Sequence, residues 1–172
     1  VVAAAVVLAP GRPIQGLADS KLLTAAARER LARLITTRAC AWAVSVVDAR
    51  EIDRINIHRA SLQAMRESIL ALNPWPCFVI ADGFRVPNLP MPQRAIAGGD
   101  RRSAAIAAAS ILAKVTRDRL MRTLHGADPR YGFDQHKGYA TAAHLEAVAR
   151  FGYSEAHRRS FRPRTLFDTM AD

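Results

Sequence analysis

The first nine residues, Val1 to Ala9, are apolar without exception. A run this short and unbroken predicts a strand covered on both faces, since a half-exposed strand would alternate. Pro10-Gly11-Arg12-Pro13 then turns the chain. The period changes next: Ala27, Leu31, Leu34 and Ile35 form one stripe at helical spacing, with Thr24 placed to cap it. Ala41 to Val47 reads as a second strand. A helix follows to about Leu72, carrying Leu62, Met65, Ile69 and Leu72 on one face, and Asn73-Pro74 stops it. Cys77 to Asp82 is a third apolar strand that ends in Asp82-Gly83. A loop with Pro87, Pro90 and Pro92 leads to a short strand from Arg94 to Ala97. Gly98-Gly99-Asp100 opens a long alanine-rich helix from about Arg102 to Leu124, in which Ala107, Ala108, Ala109 and Ser110 permit close approach to a sheet. A polar loop ending in His136-Lys137-Gly138-Tyr139 and a helix from about Thr141 to Phe151 complete the regular part. Strands alternate with helices, so the class is α/β, with helices covering a sheet.

The chain has 172 residues, the length of one domain. We expect a single domain over residues 1–172 whose carboxyl-terminal part, from about 141, is helical. Charge narrows the function. Lys plus Arg exceed Asp plus Glu by 25 to 15, a net +10, and 22 of the 25 cations are arginine. Arginine bias has two readings, genome composition or forks for phosphate. A net +10 puts nucleic acid ahead of small acidic ligands as the partner. Without a run of 18 apolar residues the sequence predicts no membrane span. Val1 to Ala9 lacks the basic flank and cleavage pattern of a signal peptide. Cys40 and Cys77 lie in apolar stretches and read as reduced core residues of a cytoplasmic protein.

Several residues are candidates for chemistry, each with a plainer alternative. Asp82 closes a strand where α/β sheets place ligands, and a carboxylate there suits Mg²⁺ or Mn²⁺; an Asp-Gly turn is the alternative. Asp100 follows two glycines, and its alternative is a helix cap. Together, at neighbouring strand ends, the two aspartates on a basic protein have the parts of a phosphodiester hydrolase. Ser20 and Lys21, near a helix start, are candidates for a phosphate site, or a cap with a solvated lysine. Tyr139, in a glycine-flanked loop, can stack on a sugar or base, or be partly buried. Arg158 and Arg159 are candidates for backbone phosphates, or a solvated tail that continues to Arg162 and Arg164. Lys114, Asp118 and Arg122, at i, i+4 and i+8, read as an exposed ladder. His136 and His144 show no partner in the sequence, and we do not assign them a catalytic role.

Taken in order, Asp19-Ser20-Lys21, Ile80-Ala81-Asp82-Gly83, Gly99-Asp100, Ala108 to Asp118 (AASILAKVTRD), His136-Lys137-Gly138-Tyr139 and His157-Arg158-Arg159-Ser160-Phe161 resemble bacterial ribonuclease HII, the type 2 ribonuclease H, over essentially the whole chain. The resemblance implies a ribonuclease H-like fold, a mixed sheet flanked by helices. It implies hydrolysis of the RNA strand of RNA–DNA hybrids and a nick 5′ to ribonucleotides embedded in duplex DNA. It implies a site of four carboxylates holding Mg²⁺ or Mn²⁺, two ions per site, of which Asp82 matches the third and Asp100 the fourth. It makes Ser20 and Lys21 candidates for phosphate contacts, and Tyr139 matches the tyrosine that helps recognise the RNA-to-DNA junction at the sugar. We expect a monomer. The family's Gly-x-Asp-Glu-x-Gly-Arg-Gly motif, which supplies the first two carboxylates on a central first strand, has no counterpart here. We therefore expect an amino-terminally truncated chain. The rival from another class is a non-catalytic nucleic-acid-binding remnant of the same fold, resting on the +10 charge and two missing acids.

Overall fold

The computed structural model describes residues 1–160. Its strands are β1 (Val2–Val7), β2 (Ala41–Val46), β3 (Val79–Asp82) and β4 (Gln93–Ile96). Among the described residues six α-helices accompany them: α1 (Ala25–Arg38), α2 (Ala49–Ile55), α3 (Ile57–Leu70), α4 (Ala104–Ala127), α5 (Phe133–His136) and α6 (Ala142–Phe151). Among the described residues β1 pairs antiparallel with β2, with Val2 opposite Val46 and Val7 opposite Ala41, while β3 pairs parallel with β4. Antiparallel and parallel pairing thus coexist, as expected, in two separate hydrogen-bonded pairs. No described helix is long and apolar enough to cross a membrane.

β1 is covered on both faces, which is why its residues need no alternation. Ala4, Val6 and Leu8 pack with α1 (Leu31, Ala32, Ile35) and α4 (Ala108, Ile111, Leu112, Val115). Ala5 and Val7, on the opposite face, pack with Ile69 and Leu72 at the end of α3 and with Val79 and Ala81 of β3. Ala3 joins Ile52, Ala60 and Ala64 of α2 and α3. Ala107 and Ala108 are buried, so α4 does meet the sheet through its smallest side chains.

Four expectations are corrected. The helix ending near Leu72 is two helices, broken at Asn56, whose φ of 70° ends α2 while its side chain accepts from the Arg59 amide to cap α3; asparagine tolerates both roles. Cys40 and Cys77 are free but exposed, because one lies in the α1–β2 turn and the other ahead of β3. Asp118 is no exposed rung: its side chain is 14% exposed and takes Lys114 at 2.7 Å and Arg28 at 3.7 Å. Arg122 instead pairs with Glu29, at 3.2 Å. The long loop between β3 and β4 is held by Gln93, whose amide accepts from Val86 N at 2.7 Å and donates to Val86 O at 2.6 Å. Within the expected carboxyl-terminal helical part, residues 161–172, with Arg162 and Arg164, lie outside the described residues.

Ile111 is fully buried where α1, α4 and β1 meet. Ile111→Ala should destabilise the protein by about 2–5 kcal/mol. The check is urea unfolding, with a lower midpoint at unchanged slope.

Candidate functional site

Asp82 is the last residue of β3 and is exposed, since alternation along Val79–Asp82 buries Val79 and Ala81 instead. Its Oδ1 accepts from the Gly99 amide at 2.8 Å. This bond ties the Asp82 carboxylate to the residue just before Asp100, in the 3₁₀ turn Gly99–Arg101. Asp100 is not the cap of α4; Ser103 is, with Oγ accepting from Ile106 N at 3.5 Å. The turn needs a glycine at 99 for space: a Cβ there would lie 2.4 Å from Ile106 Cδ1 and 3.3 Å from Asp82 Oδ1.

The Asp19-Ser20-Lys21 loop is fastened to the same turn and to α4. Buried Asp19 accepts from the Lys21 amide at 3.0 Å and meets Arg101 Nε at 3.5 Å. The Lys21 amide first, then the charges of Lys21 and Arg101, hold the Asp19 carboxyl below the usual carboxylate range against the opposing effect of burial. Ser20 is buried, and its hydroxyl shares a hydrogen bond with that of Ser110 at 2.8 Å. Its carbonyl accepts from Arg28 at 2.9 Å. Lys21 is exposed and lies three residues ahead of Thr24, whose hydroxyl caps α1. The cap is as expected; Ser20 is an anchor of the loop, and Lys21 is its free-facing cation.

The second group sits two turns further along α4. Ser110, Lys114 and Arg117 follow at i, i+4 and i+7, so the helix separates Ser110 from Arg117 by about 10 Å along one face. Arg117 donates to the Tyr139 hydroxyl at 3.0 Å and to the Lys137 carbonyl at 3.0 Å, and its guanidinium carbon lies 4.8 Å from the centre of the Tyr139 ring. Tyr139 is 57% exposed, so the partly buried alternative is excluded. The hydrogen bond from Arg117 lowers the Tyr139 phenol below its ordinary range. Arg158 is half-buried near Arg117, and burial, then the Arg117 charge, lowers its pKa. Asp53 of α2 places it, accepting from the amides of Arg159 at 2.8 Å and Ser160 at 2.9 Å. The Arg159 side chain is exposed.

The structure therefore brings Asp82, Asp100, Ser20 and Lys21 together through Gly99, Arg101 and Ser110, and brings Tyr139 and Arg158 together around Arg117. Arg117 was visible inside the AKVTRD run without an assigned part. Asp53 carried no signal, since its partners lie more than 100 residues away. Metal capacity follows from the donor set. Two carboxylates supply hard oxygen ligands, and Mg²⁺ is commonly held by one or two carboxylates with waters and substrate phosphate. Among the described residues no group of three His, Cys, Asp or Glu side chains forms. A divalent ion held by these two carboxylates alone would take its remaining ligands from water and a phosphate.

Comparison with known proteins places the chain. The family described as Ribonuclease HII matches residues 1–167. Ribonuclease HII of Azoarcus sp. (strain BH72) is 55% identical over 163 residues, covering 95% of this chain and 80% of the relative. The crystal structure of ribonuclease H2 from Pyrococcus horikoshii OT3 superposes with a TM-score of 0.70 at 23% identity, covering 86% of this chain and 77% of that one. Bst-RNase HIII in complex with Mn²⁺ superposes with a TM-score of 0.64 at 21% identity, over 85% of this chain and 55% of that one. These likenesses confirm the expected ribonuclease H-like fold.

The close approach at Gly99 predicts a reversal of sign. Gly99→Ala should cost about 1–3 kcal/mol as the new methyl displaces Ile106. Ile106→Val, destabilising by itself, should stabilise the Gly99→Ala protein by removing the colliding Cδ1. Urea unfolding of the two single variants and the double variant checks it.

Proposed function

The chain belongs to the ribonuclease HII family and is an endoribonuclease, and from that premise we propose that it cuts the RNA strand of RNA–DNA hybrids and nicks duplex DNA 5′ to an embedded ribonucleotide. The observation that carries the reading is the bond from the Gly99 amide to Asp82, which ties that carboxylate to the residue before Asp100, in a turn joined to the Lys21 loop through Arg101 and Asp19 on a strongly basic protein.

In this reading Asp82 and Asp100 hold Mg²⁺ or Mn²⁺, and the Mn²⁺ complex of the related ribonuclease HIII supports the choice. A divalent ion there supplies Lewis-acid stabilisation of charge on the scissile phosphate. The chain's own residues supply position. Gly99 orients Asp82 by occupying one lone-pair direction of Oδ1, leaving Oδ2 for a ligand. Lys21 offers its ammonium to a substrate phosphate, while Ser20 anchors the loop on α4. Tyr139 presents an exposed ring for the sugar at the RNA-to-DNA junction, with Arg117 behind it. Arg158 and Arg159 bind backbone phosphates of the duplex. The spacing along α4 then sets how far the recognised sugar lies from the cleaved bond.

The test is a duplex with a single ribonucleotide, assayed with Mg²⁺ or Mn²⁺ and the full-length protein. Asp82→Asn should lower the nicking rate ~100-fold or more, the scale of losing one group that stabilises transition-state charge. Binding of the uncut duplex should persist and weaken with salt, as phosphate contacts require. Wild-type nicking by Asp82→Asn would remove that residue from the site. Salt-sensitive binding by the wild-type protein with no metal-dependent nick would leave a binding protein in place of a nuclease.

A further inference from the structure

The turn that presents Tyr139 is strained. Lys137 and Gly138 are consecutive left-handed residues, with φ of 52° and 76°. For lysine that conformation costs roughly 1–2 kcal/mol, so neighbouring contacts must impose it. Arg117 holds the turn from one side, through the Lys137 carbonyl. From the other side it is held by three histidines of different segments. His136 and His144 stack with ring centres 4.2 Å apart and planes 10° apart. His144 and His157 meet through their Nε2 atoms at 3.1 Å, and both are buried.

The partners of these rings define every proton. A carbonyl only accepts and an amide N–H only donates. His144 Nδ1 lies 2.9 Å from the Tyr139 carbonyl, so Nδ1 carries the proton and Nε2 is an acceptor. His157 must then donate from Nε2, and its Nδ1 is free to accept from the Ser154 amide at 3.0 Å and hydroxyl at 2.8 Å. His136 donates from Nε2 to the Tyr131 carbonyl at 2.6 Å and accepts at Nδ1 from the Gly138 amide at 3.1 Å. All six ring nitrogens are satisfied with all three rings neutral. A proton added to any ring sets a donor against a donor: His144 against His157, His157 against Ser154, His136 against Gly138.

We propose that His144 is a positioning residue for Tyr139: the neutral stack of His136, His144 and His157 holds the 137–139 turn in its substrate-binding form, and protonation of the stack releases it. This rests on the reading of Tyr139 as the residue that meets the substrate sugar. Burial lowers the pKa of His144, and burial followed by the His144 charge lowers that of His157. Both groups bind protons more readily in the unfolded chain, so the stack is complete at neutral pH and is lost as pH falls below the ordinary histidine range. The other titratable groups facing the stack leave that sign in place. Tyr131 and Tyr153 present rings to His157; Asp128, paired with Arg130 at 2.8 Å, raises the His157 pKa, but less than burial and the His144 charge lower it; Asp134 of α5 lies 3.2 Å from His125 of α4.

Long-range proton–nitrogen NMR of the full-length protein reads the tautomers directly. Expected are a proton on Nδ1 of His144 and on Nε2 of His136 and His157, with His144 and His157 titrating below a free histidine; the opposite tautomers, or titration at the free value, would overturn the proposal. Kinetics supply the functional arm. His144→Phe keeps the ring stack and loses the bond to Tyr139, so KM for the hybrid should rise about tenfold with kcat little changed. His144→Asn places an amide N–H where Nδ1 stood, so it should keep KM near wild type at neutral pH. Between roughly pH 5 and 8 its KM should also show a smaller acid-side rise than wild type, because the variant lacks the His144 ring but keeps the His136 and His157 rings. Equal behaviour of the Phe and Asn variants, or identical pH profiles for Asn and wild type, would overturn the proposal. Tyr139→Ala separates the two readings. An unchanged KM there removes Tyr139 from recognition and this inference with it, whereas a raised KM in Tyr139→Ala but not in His144→Phe overturns the inference alone.

Discussion

Most of this architecture depends on how near α4 can come to β1. Ala107 and Ala108 are buried at the contact, and Ile111, Leu112 and Val115 continue it against α1. A helix seated on small side chains is close and tightly packed, and its other faces are correspondingly fixed in height and rotation. Ser110 then meets the loop of Ser20, and Arg117, seven residues later, meets Tyr139. The proposed metal end and the proposed recognition end are therefore two stations on one rigid element. Distance between the two is set by helical rise rather than by loop conformation, which is the kind of precision a nuclease needs to cut beside a chosen sugar.

Electrostatics fills in around that frame. The +10 charge is not spread as a uniform field. Several arginines are committed to internal partners: Arg119 and Arg122 to Glu29, Arg130 to Asp128, Arg54 to Glu51. Asp118 draws in both Lys114 and Arg28, and Arg28 also ties the carbonyls of Ser20 and Leu23. That carboxylate is thus a brace between α1, α4 and the Lys21 loop. The cations left facing outward near the candidate site are the ones with a use for phosphate, Lys21 and Arg159 among them.

What could be read from the sequence, and what could not, divides along physical lines. Elements with local signatures were legible: the unbroken apolar run of β1, the Thr24 cap, the helix from about Thr141, the alanine stretch of α4. The place of Asp82 at a strand end beside glycine was legible, whereas Asp100 stands in a 3₁₀ turn past the end of β4. The Asn56 break was hidden, since asparagine continues a helix or ends it according to context, and the flanking Ile55 and Ile57 fit either outcome. The hydrogen bond that anchors Ser20 was hidden because its partner, Ser110, lies 90 residues away. Asp118 looked like a rung of an exposed ladder because helical spacing shows Lys114 and cannot show Arg28. The histidines looked partnerless for another reason: most of their partners are backbone groups two to five residues away, which no residue type signals. Hydrogen bonds that close over long separations leave no local pattern, whereas caps and periodicity do.

Recognition by an exposed aromatic ring poses its own problem, because a side chain that reaches into solvent gains little packing to fix it. Tyr139 is held through its backbone and its hydroxyl instead. Arg117 fixes the hydroxyl and the carbonyl of Lys137, and the histidine stack fixes the carbonyl of Tyr139 itself. Each hold comes from a different part of the chain, α4 on one side and α6 with the segment after it on the other. The Arg117 guanidinium, 4.8 Å from the ring centre, backs the ring, which stays 57% exposed. A left-handed lysine in a turn over-determined from both sides is consistent with strain retained for a function rather than tolerated as a defect. The carboxyl-terminal segment thereby acquires a role beyond carrying arginines: through His157 and Ser154 it completes the only arrangement of ring protons in which the turn is satisfied.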